Sequence, residues 1–300
     1  MPRITVGVDA GGSKTAAVYA VDGKPVRVWV AGAANASVRG TEAASVTIGE
    51  SIEQALDGAI PAAIFVGAAG AGREDVADGI RSALESRFTG ARVEVRDDAY
   101  IALRAAIPEG DGVVLIAGTG SIAYAEHGGE TYRCGGYGYL IGDEGSGFAI
   151  GAAGVKHLMR AYDGRVPRDA LTEELERRLG SAGAVDVLRQ VYRAPHPVGL
   201  LAEIASIVLD VANRGERSAQ RIVQSASQEL ADLVKSVIKI AGLAGTQAPI
   251  ALSGGLLGGN SLLTYLLETR LLNDFPNMPI RKENPESYLG ALALAEQLIG

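Results

Sequence analysis

A chain of 300 residues, 47% of them hydrophobic, is long enough for two domains with sizeable cores. The formal net charge of −7 and the lack of a basic patch exclude nucleic acid as the main partner. The single cysteine, Cys134, excludes an intrachain disulfide and cannot alone build a zinc or iron–sulfur site. We find neither an apolar leader nor an apolar run of about 18 or more residues, so we expect a cytoplasmic protein without a membrane partner.

The first part of the chain alternates between strand and helix patterns. Three short β-rich runs come first and are joined by glycine-bearing turns, which indicates an antiparallel meander. Helices with one apolar face then alternate with further buried strands, a pattern typical of a mixed sheet. Strands are predicted at residues 4–9, 15–21, 25–32, 62–70 and 91–99, and helices at 41–56, 73–88 and 99–107.

From Gly112 the opening pattern of strand, turn, strand, turn and strand returns, and a more helical region follows it. Helices are predicted at 147–164, 171–180, 198–215, 216–242, 260–272 and 286–300, and strands at 249–257 and 278–284. We therefore predict an α/β fold of two domains with duplicated topology and a cleft between them. The first domain comprises residues 1–118, onto which helix 286–300 packs back, and the second comprises residues 119–285 with helical insertions.

Three glycine turns directly follow buried strands. They have the sequences D-A-G-G-S-K from Asp9, A-G-T-G-S from Ala117 and S-G-G-L-L-G-G-N from Ser253. Backbone N–H groups in such turns converge on anions, and glycine lets a phosphate approach closely. Each turn alone could equally be an ordinary tight turn. Three of them in one α/β chain favour a nucleotide, because ligands bind at the carboxyl ends of strands.

Two adjacent carboxylates, Asp97 and Asp98, lie near the end of the strand predicted at 91–99. Paired carboxylates repel each other, which raises the proton affinity of one of them and suits it to general-base catalysis. An aspartate at this point is also a good N-cap for the helix that follows. Both roles can hold together, one carboxylate capping the helix and the other accepting a proton.

The order of the motifs resembles a known family over nearly the whole chain. D-x-G-G-[ST]-K, D-A, G-T-G-S, G-D-E-G-S-G and S-G-G occur in the order found in the N-acetylglucosamine kinase branch of the actin-like sugar kinase and ATPase superfamily, which has a BadF/BadG/BcrA/BcrD-type ATPase domain. The pair G-T-G-S and G-D-E-G-S-G is specific, whereas D-x-G-G-[ST] alone marks only the superfamily. The resemblance implies two ribonuclease H-like domains, the use of ATP and Mg²⁺, and a homodimer.

The resemblance also implies roles for individual residues. Asp98 is expected to be the catalytic base, and Asp9 to hold Mg²⁺ through water, since Mg²⁺ prefers one or two carboxylates plus phosphate oxygens. Contacts with ATP are expected from Gly11, Gly12, Ser13, Lys14, Gly118, Thr119, Gly120, Ala212, Gly254 and Gly255. Contacts with the sugar are expected from Asn35, Asp98, Ser121, Ile122, Gly136, Tyr137, Gly138, Asp143 and Glu144. Tyr137 stands where the family has tryptophan, which keeps an aromatic platform.

The expected activity is ATP-dependent phosphorylation of the 6-hydroxyl of an N-acetylated amino sugar, with N-acetylglucosamine as the first candidate. N-acetylmuramic acid and glucosamine are rival substrates. A protein of another class, a non-catalytic sugar or nucleotide sensor or an ATPase activator, is the alternative. The activators that share this ATPase core hold an iron–sulfur cluster with two cysteines from each subunit, and the single Cys134 disfavours that alternative.

Overall fold

The structure is a computed structural model that describes residues 2–282 and 285–300. Its chain divides into two compact units. The first comprises Met1–Gly110 together with Pro285–Gly300, and the second comprises Asp111–Asn284. Over the part of the chain that the structure describes, we find no helix both long enough and apolar enough to cross a membrane.

Each predicted strand and helix has a counterpart whose ends differ by a few residues. The strands are β1 (Ile4–Ala10), β2 (Lys14–Val21), β3 (Lys24–Gly32), β4 (Ala63–Ala68), β5 (Arg92–Asp97), β6 (Gly112–Ala117), β7 (Ser121–His127), β8 (Glu130–Gly135), β9 (Ile250–Ser253) and β10 (Ile280–Arg281). The helices are α1 (Ala36–Arg39), α2 (Thr41–Leu56), α3 (Glu74–Arg87), α4 (Asp98–Ala106), α5 (Gly147–Tyr162), α6 (Ala170–Leu179), α7 (Ala184–Arg193), α8 (Pro197–Asn213), α9 (Arg217–Ala241), α10 (Leu262–Asp274) and α11 (Ser287–Gln297). The sequence pattern did not predict α1 and α7, and positions 283 and 284 of the predicted last strand lie outside the described residues.

The first unit is built on a sheet with the strand order β3-β2-β1-β4-β5. β2 runs antiparallel to both β1 and β3, whereas β1, β4 and β5 are parallel. β1 and β4 are buried along almost their whole length, which explains their continuous apolar sequences. Because the three parallel strands run in the same direction, their carboxyl ends lie side by side at one edge of the sheet.

Helices cover both faces of this first sheet. α2 and α3 pack on one face through side chains that include Ile48 and Ile80. α4 and α11 pack on the other face, where Phe65 of β4 contacts the cluster around Ile101. Gly290 lets α11 approach α4 closely, since a methyl group there would lie 2.1 Å from the carbonyl oxygen of Ile101. The last helix of the chain therefore completes the core of the first unit.

The second unit repeats the topology of the first. Its sheet has the order β8-β7-β6-β9-β10, so that β6 to β10 take the places of β1 to β5 with the same parallel and antiparallel pairings. This repetition confirms the predicted α/β fold of duplicated topology. The observed division falls before the predicted boundary at residue 118, because β6 pairs with β7 and β9 and so belongs to the second unit.

The second unit has the larger core, which is formed mostly by its helices. Fully buried apolar side chains come from α5, α6, α8 and α9, as in Leu158, Leu175, Val208 and Leu230. This core fixes the start of α5 at Gly147, directly after the G-D-E-G-S motif. The loop that carries the motif is therefore attached to the most rigid part of the unit.

Candidate active site

Acidic residues lie at the carboxyl edge of the first sheet. Asp9 precedes the last residue of β1 and is paired in register with Gly67 of β4. Asp97 ends β5 on the other side of β4, opposite Ala68. Since neighbouring strands are about 4.8 Å apart, the backbones of Asp9 and Asp97 are separated by roughly 10 Å. Asp98 follows immediately as the first residue of α4, so three carboxylates meet at one edge of the first unit.

The two adjacent aspartates differ in what they contact. The Asp97 carboxylate is buried and accepts a hydrogen bond from the backbone N–H of Ala99 at 3.0 Å, which caps α4. Asp98 remains partly exposed. The pKa of Asp98 is held well above the ordinary value of 3.8. The largest cause is burial of the carboxylate, and the negative charges of Asp97 and Asp9 come next. A carboxylate with raised proton affinity can accept a proton from an alcohol, so the role of Asp98 as the base stays a prediction with a physical rationale.

Asp9 is the candidate ligand for Mg²⁺. The pKa of its carboxyl group is raised to about 6, mainly by burial. Within this net shift the charge of Lys14 lowers the pKa and the charge of Glu286 raises it. Among the described residues, no group of three or more histidines, cysteines and acids is arranged to hold a metal ion. A single partly exposed carboxylate fits Mg²⁺ that takes its other oxygen ligands from phosphate and water, which is the set this ion prefers. Lys14 itself lies 3.6 Å from Glu286, between Nζ and Oε2, and both side chains are more than half exposed.

The glycine turn between β1 and β2 is closed by one backbone hydrogen bond and has open space at Gly12. Gly11 donates its backbone N–H to the carbonyl oxygen of Lys14 at 2.9 Å, which leaves Gly12 and Ser13 at the tip. Gly12 has no positive φ, and a methyl group there would meet only Nδ2 of Asn35, at 3.7 Å. Neither the backbone nor packing therefore requires glycine at position 12, and the open space there would admit a ligand.

Asn35, the residue expected to bind sugar in the first unit, lies beside this turn. Ala34 donates its backbone N–H to the carbonyl oxygen of Gly11 at 3.2 Å, which brings the start of α1 against the turn. Asn35 is partly exposed there. The structure thus brings Asp9, Gly12, Asn35 and Asp98 to the same edge of the first sheet.

The corresponding turn of the second unit, between β6 and β7, is fastened to a helix. Gly118 donates its backbone N–H to the carbonyl oxygen of Gly120 at 2.9 Å. The carbonyl oxygens of Gly118 and Thr119 accept hydrogen bonds from the first N–H groups of α5, those of Gly147 at 2.8 Å and Phe148 at 3.2 Å. A methyl group at Gly118 would meet nothing within 4 Å, and its φ is not positive. Gly118 is thus a second glycine with open space at its α-carbon.

At position 120, glycine is explained by the close packing of Asp143. A methyl group there would lie 2.9 Å from both carboxylate oxygens of Asp143. Oδ1 of Asp143 accepts a hydrogen bond from the backbone N–H of Ser121 at 3.3 Å, and the residue has a φ of 58°. Burial raises the pKa of Asp143, although hydrogen bonds from the backbone of Ser121 and Gly138 lower it. Asp143 is therefore held rigidly over the turn at 118–120.

Ser121 holds the G-D-E-G loop in place. Its hydroxyl group donates a hydrogen bond to the carbonyl oxygen of Glu144 at 2.7 Å, and the residue is only 3% exposed. The hydroxyl group therefore donates to the loop and keeps its acceptor capacity, and the sugar contact expected from Ser121 stays a prediction. The side chain of Glu144 is exposed, and Ile122 is partly buried next to Gly136.

The glycine-rich loop after β8 completes this group. Gly136 donates its N–H to the carbonyl oxygen of Ser121 at 3.0 Å, and Arg133 donates to the carbonyl oxygen of Gly136 at 3.0 Å. The carbonyl oxygen of Gly138 accepts from Gly142 at 2.9 Å. Tyr137, between these glycines, is 62% exposed, with the Arg133 guanidinium 5.8 Å from its ring centroid. The ring is thus mostly exposed beside Gly142, with Arg133 nearby, and is suited to stacking on a sugar.

The S-G-G segment lies beside the turn at 118–120, because β9 runs parallel to β6 with Ser253 opposite Ile116. A methyl group at Gly254 would lie 2.3 Å from the carbonyl oxygen of Ala117, so this glycine is required by packing. Gly255 has nothing within 4 Å of such a methyl group. Ala212 is 1% exposed within α8 and belongs to the core, and its contact with the nucleotide stays a prediction.

Two residues with structural roles at these groups were missed by sequence reasoning. Asn213 accepts a hydrogen bond from the backbone N–H of Leu262, and Glu286 pairs with Lys14. In both cases the partners are far apart in the sequence, and neither residue belongs to a recognisable motif. No local signal could have identified them.

One family model and three known proteins match nearly the whole chain. The model of the BadF/BadG/BcrA/BcrD ATPase family matches residues 6–295. A curated relative from Clostridium acetobutylicum, named N-acetylmuramic acid/N-acetylglucosamine kinase, is 28% identical over 98% of this chain and 98% of its own. A relative from Dictyostelium discoideum, named N-acetyl-D-glucosamine kinase, is 28% identical over the same shares of the two chains. A solved structure from Chromobacterium violaceum, named as a candidate N-acetylglucosamine kinase, has a TM-score of 0.76 and 27% identity, and the match covers 98% of this chain and 99% of that one.

Proposed function

Because the chain belongs to the BadF/BadG/BcrA/BcrD ATPase family, we propose that it is an ATP-dependent kinase that phosphorylates the 6-hydroxyl of an N-acetylated amino sugar. N-acetylglucosamine is the proposed preferred substrate. The names of the relatives from Clostridium acetobutylicum and Dictyostelium discoideum support an amino sugar, since both contain N-acetylglucosamine.

The observation that carries the proposal is the edge of the first sheet, where Asp98 has a raised pKa beside the open turn at Gly12. Phosphoryl transfer needs little covalent chemistry from the protein, so positioning and charge account for most of the catalysis. A base that accepts the hydroxyl proton and a turn that admits phosphate are the two parts such a reaction requires.

Each group of residues has a proposed role in the transfer. Asp98 accepts the proton of the sugar hydroxyl as its oxygen bonds to the γ-phosphorus, and the bond from that phosphorus to the β–γ bridging oxygen breaks to release ADP. The N–H groups at Gly12 and Ser13 bind phosphate oxygens, and those of Thr119 and Gly120 are a second phosphate contact. Asp9 would hold Mg²⁺, which neutralises phosphate charge when bound.

The sugar contacts are proposed from the two local groups described above. Asn35 in the first unit and Asp143 in the second supply an amide and a carboxylate for hydroxyl and acetamido groups. Tyr137 supplies an apolar ring face. The backbone of Ser121 and the loop from Gly136 to Gly138 fix the geometry of the second group.

A sugar panel tests the proposal. The purified protein is incubated with Mg-ATP and, separately, with N-acetylglucosamine, N-acetylmuramic acid, glucosamine and glucose, and ADP release and phosphosugar mass are measured. We expect the highest kcat/KM with N-acetylglucosamine and phosphorus coupling to the protons at carbon 6 in the NMR spectrum of the product. A product phosphorylated at another position would contradict the assignment of the 6-hydroxyl.

The other candidates are distinguished by the same panel. Preference for N-acetylmuramic acid, which the name of the Clostridium acetobutylicum relative also contains, would change the substrate but not the activity. Binding of sugar or ATP without turnover of any of the four sugars would favour the non-catalytic sensor. We also propose a homodimer, on the resemblance alone, and light scattering after size exclusion tests it.

A further inference from the structure

Asn213, the last residue of α8, contacts a segment far away in the sequence. Its side-chain Oδ1 accepts a hydrogen bond from the backbone N–H of Leu262, the first residue of α10, at 2.9 Å. The two residues are 49 positions apart. Because a backbone N–H can only donate, the amide oxygen of Asn213 must face α10, which fixes the orientation of the side-chain amide.

This contact closes one end of the segment between β9 and α10, residues 254–261. At the other end, Leu256 donates its backbone N–H to the carbonyl oxygen of Ala117 at 3.1 Å, and Gly254 is packed against the same residue. The centre of the segment, residues 258–260, is exposed. The segment is thus anchored at two points and open between them.

The start of α10 is held by the burial of Leu263 and Thr264 and by hydrogen bonds. Ser261 caps the helix by accepting a hydrogen bond from the N–H of Thr264 at 3.2 Å, but this bond is local to the helix. The bond from Leu262 to Asn213 instead joins α10 to α8. Without it the N–H of Leu262 can turn to water, since Asn213 and its surroundings are exposed, so the fold is retained while the segment gains freedom.

We propose that Asn213 is a positioning residue for the nucleotide, because it holds the start of α10 and so fixes the segment 254–261 in the form that binds the nucleoside of ATP. This inference rests on the proposed function and on the contact of Gly254 and Gly255 with ATP that the family resemblance implies; we take that contact to be with the nucleoside. Asn213 acts through Leu262 and does not itself take part in phosphoryl transfer.

The test compares a substitution that removes the acceptor oxygen with one that retains it. Asn213→Ala removes the acceptor, whereas Asn213→Asp supplies a carboxylate oxygen in place of the amide oxygen. We expect Asn213→Ala to weaken binding of ADP, measured by calorimetry, and to raise the KM for ATP, each by about five- to tenfold, which is the size of one lost hydrogen bond. The kcat and the KM for sugar should stay within about twofold of the wild type, and Asn213→Asp should restore ADP binding.

Thr269→Ala is the matched control. Thr269 is exposed on the same helix and donates a hydrogen bond to the carbonyl oxygen of Tyr265 at 2.8 Å, so its replacement removes a side-chain hydrogen bond of α10 away from residues 254–261. We expect this variant to bind ADP as the wild type does. Hydrogen exchange across residues 254–262, faster in Asn213→Ala only, reports the same effect without any catalysis.

The outcomes separate this inference from the proposed function. A wild-type protein that binds no adenine nucleotide would overturn both. If the wild type binds ADP and Asn213→Ala binds it equally well, only the positioning role is wrong. Equal losses in Asn213→Ala and Asn213→Asp, or in Asn213→Ala and Thr269→Ala, would also overturn it, since neither pattern follows from loss of the Asn213 acceptor for the N–H of Leu262.

Discussion

Two of the three glycine turns follow corresponding strands, β1 and β6, yet the acidic residues beside them differ. Asp9 stands two residues before Gly11 in the first turn, whereas Ile116 stands two residues before Gly118 in the second. The first turn is accompanied by the carboxylates of Asp9 and Asp98. The second has its carbonyl oxygens bonded to the start of α5. Duplication of topology has thus preserved the turn, while the acids of the proposed transfer chemistry lie only with the first.

The difference suggests that the two units have separate roles in catalysis, which substitutions can test. The first unit would carry the proton acceptor and the metal ligand, and would tolerate little change of charge. In the second unit, where Asp143 is fastened by backbone hydrogen bonds over Gly120, geometry would matter more than proton affinity. Substitutions that remove charge from the first turn should therefore affect kcat, and those that fill space at either turn should affect binding of ATP.

The largest effect is expected from Asp98→Asn. Loss of the proton acceptor should lower kcat by about 10²- to 10⁴-fold with little change in the KM for ATP. The pKa of Asp98 is raised in the fold, so the charged form costs stability above that pKa and the cost disappears as pH falls through it. Asparagine is neutral, so the melting temperature near neutral pH should rise. Steady-state kinetics and a thermal melt measure both effects.

Asp78→Asn is the control for this prediction, since Asp78 forms an ion pair with Arg81 at 2.6 Å on the surface of α3. It should leave kcat unchanged. Turnover of Asp98→Asn close to that of the wild type would show that the base lies elsewhere, and the proposed contrast between the two turns would then lose its main support.

The next effect is expected from filling the open glycines. Gly12→Ala and Gly118→Ala should each raise the KM for ATP by about 10- to 100-fold, since an added methyl group would occupy space proposed for phosphate at a cost of about 1–3 kcal/mol. Melting temperatures should hardly change, because neither position has a positive φ or a close neighbour. Kinetics and a thermal melt of each variant check the two statements.

Two other glycines serve as matched controls. Gly32 and Gly183 also lack a positive φ between +20° and +160° and have nothing within 4 Å of an added methyl group, but they lie outside the two turns. Alanine at these positions should leave the KM for ATP unchanged. Gly254→Ala, by contrast, should lower the melting temperature, because its methyl group would lie 2.3 Å from the carbonyl oxygen of Ala117. If Gly12→Ala behaves as Gly32→Ala does, the first turn does not bind phosphate.

A smaller effect is expected in the pH dependence. As a base, Asp98 must be charged, so activity should fall as pH falls through its raised pKa. Burial is the largest cause of the shift and the charge of Asp97 is the next, so Asp97→Asn should move the acidic limb of the kcat/KM profile to lower pH. Asparagine keeps an oxygen that can accept from Ala99, which preserves the cap of α4. An acidic limb that does not move would assign it to another group.

The sequence predicts the fold well because both sheets follow from local patterns. Buried runs such as residues 4–9 and 62–70 alternate with amphipathic helices, and the glycine turns mark the strand ends. α7 was missed although Ala184, Val187, Leu188 and Val191 recur at helical spacing, so a local signal for it was present. The cap formed by Asp97 was also predictable, since it depends on the residue two positions later.

The remaining parts of the candidate site depend on contacts that no local pattern contains. The hydroxyl group of Ser121 looks available in the motif G-T-G-S, but its bond to Glu144 is set by how the loop at 142–146 folds back. Ala212 is next to Asn213 in the sequence, and only the packing of α8 shows which of the two is buried and which reaches α10. Burial and long-range hydrogen bonds decide such roles.

The smallest effect is expected at Lys14, and it decides whether the first turn uses a cation. The Lys14–Glu286 pair is more than half exposed, so Glu286→Gln should change stability by at most about 1 kcal/mol. If Lys14 binds phosphate, Lys14→Met should raise the KM for ATP severalfold while Glu286→Gln leaves it unchanged or lowers it, since the lysine is released from its partner. If Lys14 is only a surface partner of Glu286, the two variants should have equally small effects on the KM for ATP. We expect the first result, because the carbonyl oxygen of Lys14 accepts the hydrogen bond of the turn whose tip is Gly12 and Ser13. The second turn has the uncharged Ser121 at the corresponding position, so only the first turn has a cation there.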